Sequence, residues 1–271
     1  MILQNQVIIL TGATGGIGRH LAHQLAEQDA QLVLVASNEL KLMELAGELR
    51  MRNTRVMEVL ADLRSPNAAQ GIIEQVLRTW GKVDILINNA GILDFTILEQ
   101  QSSARIAELM QVNAIAPMQL VSGVLPYFKH VNRGHIVNVG SIFGSLAYPY
   151  YVTYSASKYA LRGFSQALRR ELAGSEIHVT YVAPRAVRTA LNSAASIDMM
   201  HHGNMAIDEP EAVASDIIVA IEERKDELYL GFPEKIFAWI NSIAPSIISL
   251  GIRKQAQMAR HYVNQSRIQE Q

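Results

Sequence analysis

The feature that most narrows the fold of this chain is a junction between an apolar run and a glycine-rich one. Val7-Ile8-Ile9-Leu10 passes directly into Thr11-Gly12-Ala13-Thr14-Gly15-Gly16-Ile17-Gly18. Four consecutive apolar residues suit a strand covered on both faces, as in parallel sheets. Gly12 then permits a tight turn, Gly16 lets backbone approach a pyrophosphate, and Gly18 lets the next helix pack close to the strand. Ile17, Leu21 and Leu25 continue at helical spacing. A helix opening there presents free N–H groups and partial positive charge to an anion. A glycine-rich turn without a ligand is the plainer alternative. The position after a strand and before a helix favours dinucleotide binding through residues 12–18. The spacing is G-x-x-x-G-x-G, not the G-x-G-x-x-G of many dehydrogenases.

The rhythm of that junction recurs. Short apolar runs at 32–35, 55–60, 83–87, 135–139, 177–182 and 228–232 read as further strands. Stretches of helical periodicity separate them at 69–80, before 114, at 118–130, 154–172 and 211–223. Alternation of this kind predicts α/β architecture with a parallel sheet. With 49% apolar and 18% charged residues, the chain can bury a large core. Residues 1–232 are expected to form one domain, with 233–271 as an apolar-then-basic helical extension. Twenty-four basic residues nearly cancel twenty-five acidic ones, so no global footprint for nucleic acid exists. The absence of cysteine excludes a disulfide scaffold, a thiolate nucleophile and cysteine-based metal sites. It fits a reducing compartment, and a cytoplasmic location is expected. The first apolar run ends too early for a signal peptide, and no stretch offers the ~20 apolar residues of a membrane span.

Tyr154 and Lys158 stand four residues apart and so share a helix face. A phenol with a pKa near ~10 is a poor base at neutral pH, and a neighbouring cation favours its phenolate. The pairing alone is common surface chemistry, but Tyr148, Tyr150, Tyr151 and Tyr159 lack a lysine four positions on. Ser141 follows the fifth strand, where catalytic groups of open parallel sheets gather. It reads either as a turn serine or as a donor to a carbonyl oxygen. Asn88-Asn89-Ala90-Gly91 closes the fourth strand.

Taken together, Thr11 to Gly18, Asp62-Leu63, Asn88 to Gly91, Asn113, Ser141, Tyr154 and Lys158 resemble the short-chain dehydrogenase/reductase family. The resemblance runs across residues 5–230. It implies a Rossmann-like, doubly wound parallel sheet of about seven strands with helices on both faces. It also implies hydride transfer between a nicotinamide and a carbonyl or alcohol. Tyr154 would be the acid in reduction and the base in oxidation. Lys158 would lower its pKa and hold the nicotinamide ribose. Ser141 would polarise the carbonyl, and Asn113 would hold a relay water. Asp62 would meet the adenine with Leu63 beside it, and Asn89, Ala90 and Gly91 would line the ribose and nicotinamide side. Self-association through the long helices near 118–130 and 154–172 is implied as well. One departure stands out. Where the family has Pro-Gly, this chain has Pro184-Arg185, with Val187 and Thr189 following as nicotinamide contacts. Arg185 either meets an anionic substrate group or turns to solvent.

Ala36 ends the second strand where many NAD-dependent members carry an acid. Ser37 and Asn38 can donate to a 2′-phosphate, Arg19 or Lys41 can add charge, and Glu39 opposes them. NADP is the expected cofactor, with NAD as the alternative. The substrate pocket is framed by 93–96, 142–151 and 189–207. Its methionines suit an adaptable apolar lid, and its aromatic residues suit a lipophilic ketone or aldehyde or, equally, core packing. His201 and His202 have no acidic partner at ligand spacing, so no metal is expected. The uncharged run 236–252, followed by Arg253, Lys254, Arg260, His261 and Arg267, has three readings. It is an interfacial membrane helix, a cover over the pocket or a subunit contact.

Overall fold

The computed structural model describes residues 2–269, apart from the side chains of 254 and 265–269. The basic side chains of Lys254 and Arg267 therefore lie outside the described residues. In chain order the strands are β1 (Val7–Thr11), β2 (Gln31–Ala36), β3 (Val56–Leu60), β4 (Ile85–Asn88), β5 (Gly134–Val139), β6 (Ile177–Ala183), β7 (Ala186–Val187), β8 (Ile207–Asp208) and β9 (Glu227–Tyr229). Seven of them form one parallel sheet in the order β3-β2-β1-β4-β5-β6-β9, and β7 pairs with β8 apart from it. Strand order reverses between β1 and β4, which opens a crevice at their carboxyl ends.

Both faces of the sheet are covered. Helices α1 (Gly16–Glu27), α2 (Glu39–Met51) and α8 (Pro210–Glu222) pack on one face. There Leu21, Leu25, Leu45 and Ile217 meet Ile8, Leu10, Leu34 and Ile87. Helices α3 (Ala68–Trp80), α5 (Ala116–Val131) and α6 (Val152–Glu171) pack on the other. There Ile72, Val76, Leu120 and Phe128 meet Val7, Ile9, Val33 and Leu86. Successive β1 side chains thus point to opposite cores and all are buried, which is why the strand shows no polar alternation. Each such Leu or Ile contributes roughly 1.5–3 kcal/mol on burial.

Two expected boundaries differ. The helices expected on either side of 114 form one rod. Helix α4 (Ser103–Met110) continues through a π-turn (Gln111–Ile115) into α5. The run 236–252 is not one element. Helix α9 (Glu234–Ile243) stops at Ala244, and Pro245 opens α10 (Pro245–Gln269). Proline fits a first helical turn, where its missing N–H has no partner to lose. The inner face of α10 packs on α7 (Ala194–His202), and Ala259 joins Met199, Met200, Tyr151 and Tyr154 in a third apolar cluster.

Candidate active site

The crevice where strand order reverses is a cleft of about 620 Å³. One end is built by the β1–α1 loop. Gly12 has φ +62°, and a Cβ there would lie 2.8 Å from Ala90 Cα. A Cβ on Gly18 would run into the Gly12 carbonyl oxygen, and one on Gly16 into the Thr189 side chain. The loop is tied down from below. The Thr11 hydroxyl donates to the Ile87 carbonyl (3.3 Å) and accepts from the amides of Asn89 (3.0 Å) and Ala90 (3.1 Å). Asn89 Nδ2 donates to the carbonyls of Thr11 and Gly12, at 3.0 and 3.2 Å. The Ala13 amide donates to Val35. No side chain caps the start of α1 at Gly15, so its first-turn amides face the cleft as an anion cradle. Bare backbone, a side-chain-free approach and a positive helix end fit a dinucleotide pyrophosphate.

Of the residues singled out in the sequence, Gly12, Thr14, Gly15, Gly16, Ile17, Ser37, Asp62, Leu63, Asn89, Ala90 and Gly91 line this cleft. Ser141, Tyr154, Lys158, Pro184, Val187 and Thr189 do so too. Ala13, Gly18, Asn38 and Asn113 are not among the residues that line it. The Asn38 side-chain Oδ1 caps α2 by accepting from the Lys41 amide (3.0 Å). Arg19, offered as a cation for a 2′-phosphate, is held by Glu44 and Glu48. Asp62 is bound by the guanidinium of Arg64 (2.9 Å to each oxygen), which holds its carboxyl below the usual carboxylate range.

At the other end, Ser141 caps a 3₁₀ turn, its Oγ accepting from the Phe143 amide (3.1 Å). Its side chain also favours the Tyr154 phenolate. Tyr154 and Lys158 lie one turn apart on α6, only 6% and 4% exposed. Lys158 Nζ donates to the Val139 carbonyl (3.1 Å) and stands 5.7 Å from the centre of the Tyr154 ring. Gly91 lies beside it, where a Cβ would stand in ordinary contact with Nζ at 3.6 Å.

The expected depression of the phenol pKa is corrected here. Burial pushes Tyr154 up to about 12, against the pull of the Ser141 side chain. Burial also pushes Lys158 down to about 8. Desolvation penalises the charged form of each group, and the ammonium is spent on a backbone carbonyl rather than on the phenol oxygen.

Asn113 is engaged at both ends of its amide. Its Oδ1 accepts from the Ile92 amide (2.8 Å), and its Nδ2 donates to the Ile92 carbonyl (2.8 Å) and to Ser157 Oγ (3.0 Å). The side chain fastens the β4 loop to α6 from within the π-turn, with one lone pair of its Oδ1 still open. Arg185 lines the cleft, where its guanidinium is paired with Asp208 (3.0, 3.0 and 2.7 Å) and with Glu234 (3.4 Å). Sequence reasoning missed Tyr181 of β6. Its hydroxyl donates to the Ser141 carbonyl (3.2 Å) and accepts from the Ser141 amide (3.5 Å). No local pattern announces that contact, which spans 40 residues.

The wall beyond Tyr154 is aromatic. Phe143 stacks on Tyr148 at 5.3 Å, Phe95 stacks on Tyr151 at 4.9 Å, and the Tyr151 hydroxyl meets Ser196 Oγ of α7 (2.6 Å). Met199 and Met200 close the side under α10. Among the described residues no cluster of His, Asp and Glu could hold a metal ion.

Comparison with known proteins agrees with this geometry. A family model described as short chain dehydrogenase matches residues 6–199. The dehydrogenase/reductase SDR family member 7B of Bos taurus is 32% identical over 95% of this chain and 82% of its own length. An uncharacterized oxidoreductase of Bacillus subtilis, YxnA, is 31% identical over 96% of this chain and 74% of its own length. The crystal structure of a short-chain dehydrogenase/reductase from Burkholderia phymatum in complex with NAD superposes with a TM-score of 0.83. It is 25% identical, over 91% of this chain and 96% of that one. A metagenomic short-chain oxidoreductase in complex with NADP gives a TM-score of 0.71 at 28% identity, over 85% of this chain and 98% of that one. The chain belongs to the short-chain dehydrogenase/reductase family of oxidoreductases.

Proposed function

We propose that this protein is an NADP-dependent reductase of a lipophilic ketone or aldehyde. The observation that carries the reading is the convergence of Ser141, Tyr154 and Lys158 at one end of a cleft whose other end is a glycine cradle. A bound nicotinamide dinucleotide supplies the hydride; the protein supplies orientation and the proton. Gly12, Gly16 and the start of α1 would hold the pyrophosphate. Ser37, Asp62 and Leu63 would face the adenosine half, and Val187 and Thr189 the nicotinamide. Ser141 and Tyr154 would donate to the substrate oxygen, with Tyr154 passing its proton to it. A phenol raised by burial to about 12 stays protonated at neutral pH, as a proton donor must be. Lys158 would contact the ribose from beneath Tyr154. Asn113 is a positioning residue that ties the β4 loop to α6.

Two features support the finer choices. The second strand ends in Ala36 and Ser37 rather than an acid, leaving no carboxylate there to repel a 2′-phosphate. Phe143, Tyr151 and Met200 line the substrate end, which suits an apolar substrate. An NAD-dependent dehydrogenase of alcohols or steroids is the second reading, supported by the NAD held by the Burkholderia relative. A cytoplasmic homo-oligomer belongs to the proposal. Self-association is supported by exposed Val131 on α5 and Val152 and Tyr159 on α6. Peripheral membrane contact through 236–271 belongs to it as well, supported by the uncharged run 236–252 and the cations after it.

The test is consumption of NADPH by the purified protein across a panel of aliphatic and aromatic ketones and aldehydes. Turnover is expected, with NADPH binding at least about tenfold more tightly than NADH. Binding without turnover across the panel would overturn the reductase in favour of a non-catalytic dinucleotide-binding scaffold. Equal affinities would overturn the cofactor preference.

A further inference from the structure

The surface of α9 and the first turns of α10 is unlike the rest of the molecule. Ile236, Trp239 and Ile243 follow one another at i, i+3 and i+7 on α9 and are 41%, 65% and 64% exposed. Ile247 and Leu250 continue the apolar surface on α10, at 60% and 61%. The opposite sides of the same helices are anchored. Ala238 is buried, Asn241 Nδ2 donates to the Ser145 carbonyl (3.0 Å) and to the Tyr159 hydroxyl (3.2 Å), and Glu234 pairs with Arg185. The helices are thus held in a fixed pose with their apolar side outward. Exposed apolar surface of this extent marks an interaction site rather than ordinary surface.

Charge identifies the occupant. No Asp or Glu occurs between Glu234 and Glu270, while five Lys and Arg residues do. Lys235 and Arg253, both exposed, bracket the apolar run at its two ends. Bulky apolar residues with a tryptophan, flanked by cations and free of carboxylates, match the boundary between acyl chains and anionic headgroups. No helix among the described residues is long and apolar enough to cross a membrane. Docking would therefore be in the plane of the surface.

We propose that the outward face of α9 and the start of α10 seats the protein on an anionic lipid bilayer. The inference rests on the peripheral contact proposed above and names its surface and its lipid. It also fits the site. Glu234 of α9 pairs with Arg185 on the wall of the cleft, and α10 packs on the α7 lid, so docking would hold the substrate end beside the lipid.

The experiment is flotation of the full chain with vesicles of phosphatidylcholine alone or with about 30% phosphatidylserine. We expect the protein to float with the anionic vesicles and to be released as salt rises. The double variant Trp239→Glu/Ile243→Glu should lower the bound fraction at least about tenfold. Lys235→Glu/Arg253→Glu, which alters only exposed charges, should abolish the preference for phosphatidylserine. Both variants should keep wild-type thermal unfolding and NADPH affinity. Tyr154→Phe should float like wild type, so that failure of the reductase assignment and failure of docking remain distinguishable. Protein that stays at the bottom with anionic vesicles overturns the proposal, as do variants that float like wild type. A Trp239→Glu/Ile243→Glu protein that changes from oligomer to monomer, when wild type does not float, would assign the face to a second copy and equally overturn it.

Discussion

Replacing Lys158 with methionine should make the protein more stable and less active at once. The ammonium is 4% exposed, and burial lowers its pKa from 10.5 to about 8. By linkage that drop corresponds to roughly 3 kcal/mol that the folded state forfeits by keeping the charge at neutral pH. Methionine fills similar space without the charge but leaves the Val139 carbonyl, now 3.1 Å from Nζ, without its donor, which costs about 1 kcal/mol. The balance is a gain of about 2 kcal/mol, or on the order of 4 °C in Tm for a chain of this size. The sign of the pH dependence follows. Between pH 8 and 10.5 the unfolded chain binds the Lys158 proton and the folded chain sheds it. Wild-type stability therefore rises through that window, and the advantage of Lys158→Met shrinks. Thermal unfolding of both proteins at about pH 7 and about pH 10 measures this, with NADPH turnover measured alongside. No stabilisation at the lower pH, or an advantage undiminished at the higher one, would refute the reasoning.

Other outcomes follow from the same geometry. Gly18→Ala places a methyl group against the Gly12 carbonyl oxygen; we expect a loss of about 1–3 kcal/mol and at least about tenfold weaker NADPH binding by calorimetry. Tyr181→Phe removes the hydroxyl that grips the Ser141 backbone; kcat should fall about fivefold with NADPH affinity unchanged, since Tyr181 lies outside the cleft lining. For reduction, kcat/KM should decline as pH rises past about 8, where the free enzyme loses the Lys158 charge; Lys158→Arg, which stays protonated, should remove that break from the pH profile.

Continuous apolar runs made β1, β2 and β4 legible, because a strand buried on both faces has few polar positions to confuse with helix. The glycine cradle was legible for a similar reason, since Gly12 and Gly18 are required by backbone sterics within one short segment. Tyr154 and Lys158 were legible because their pairing is local, one helical turn. What escaped depends on partners far along the chain. Arg185 finds Asp208 and Glu234, 23 and 49 residues away. Asn113 meets Ile92 and Ser157, 21 and 44 residues away. The direction of the Tyr154 shift was misread because i,i+4 spacing reports a neighbouring charge but not depth of burial, and burial is what raises this phenol. The run 236–252 reads as one apolar segment because composition does not reveal that Pro245 opens a second helix rather than interrupting the first.

The central claim is that the Tyr154 hydroxyl delivers the proton to a carbonyl oxygen beside a bound nicotinamide. Steady-state NADPH oxidation by Tyr154→Phe, with NADPH affinity measured on the same preparation, tests it most directly. We expect the dissociation constant to stay within about twofold of wild type while kcat falls roughly a thousandfold. A variant that binds NADPH normally and turns over at the wild-type rate would contradict the account.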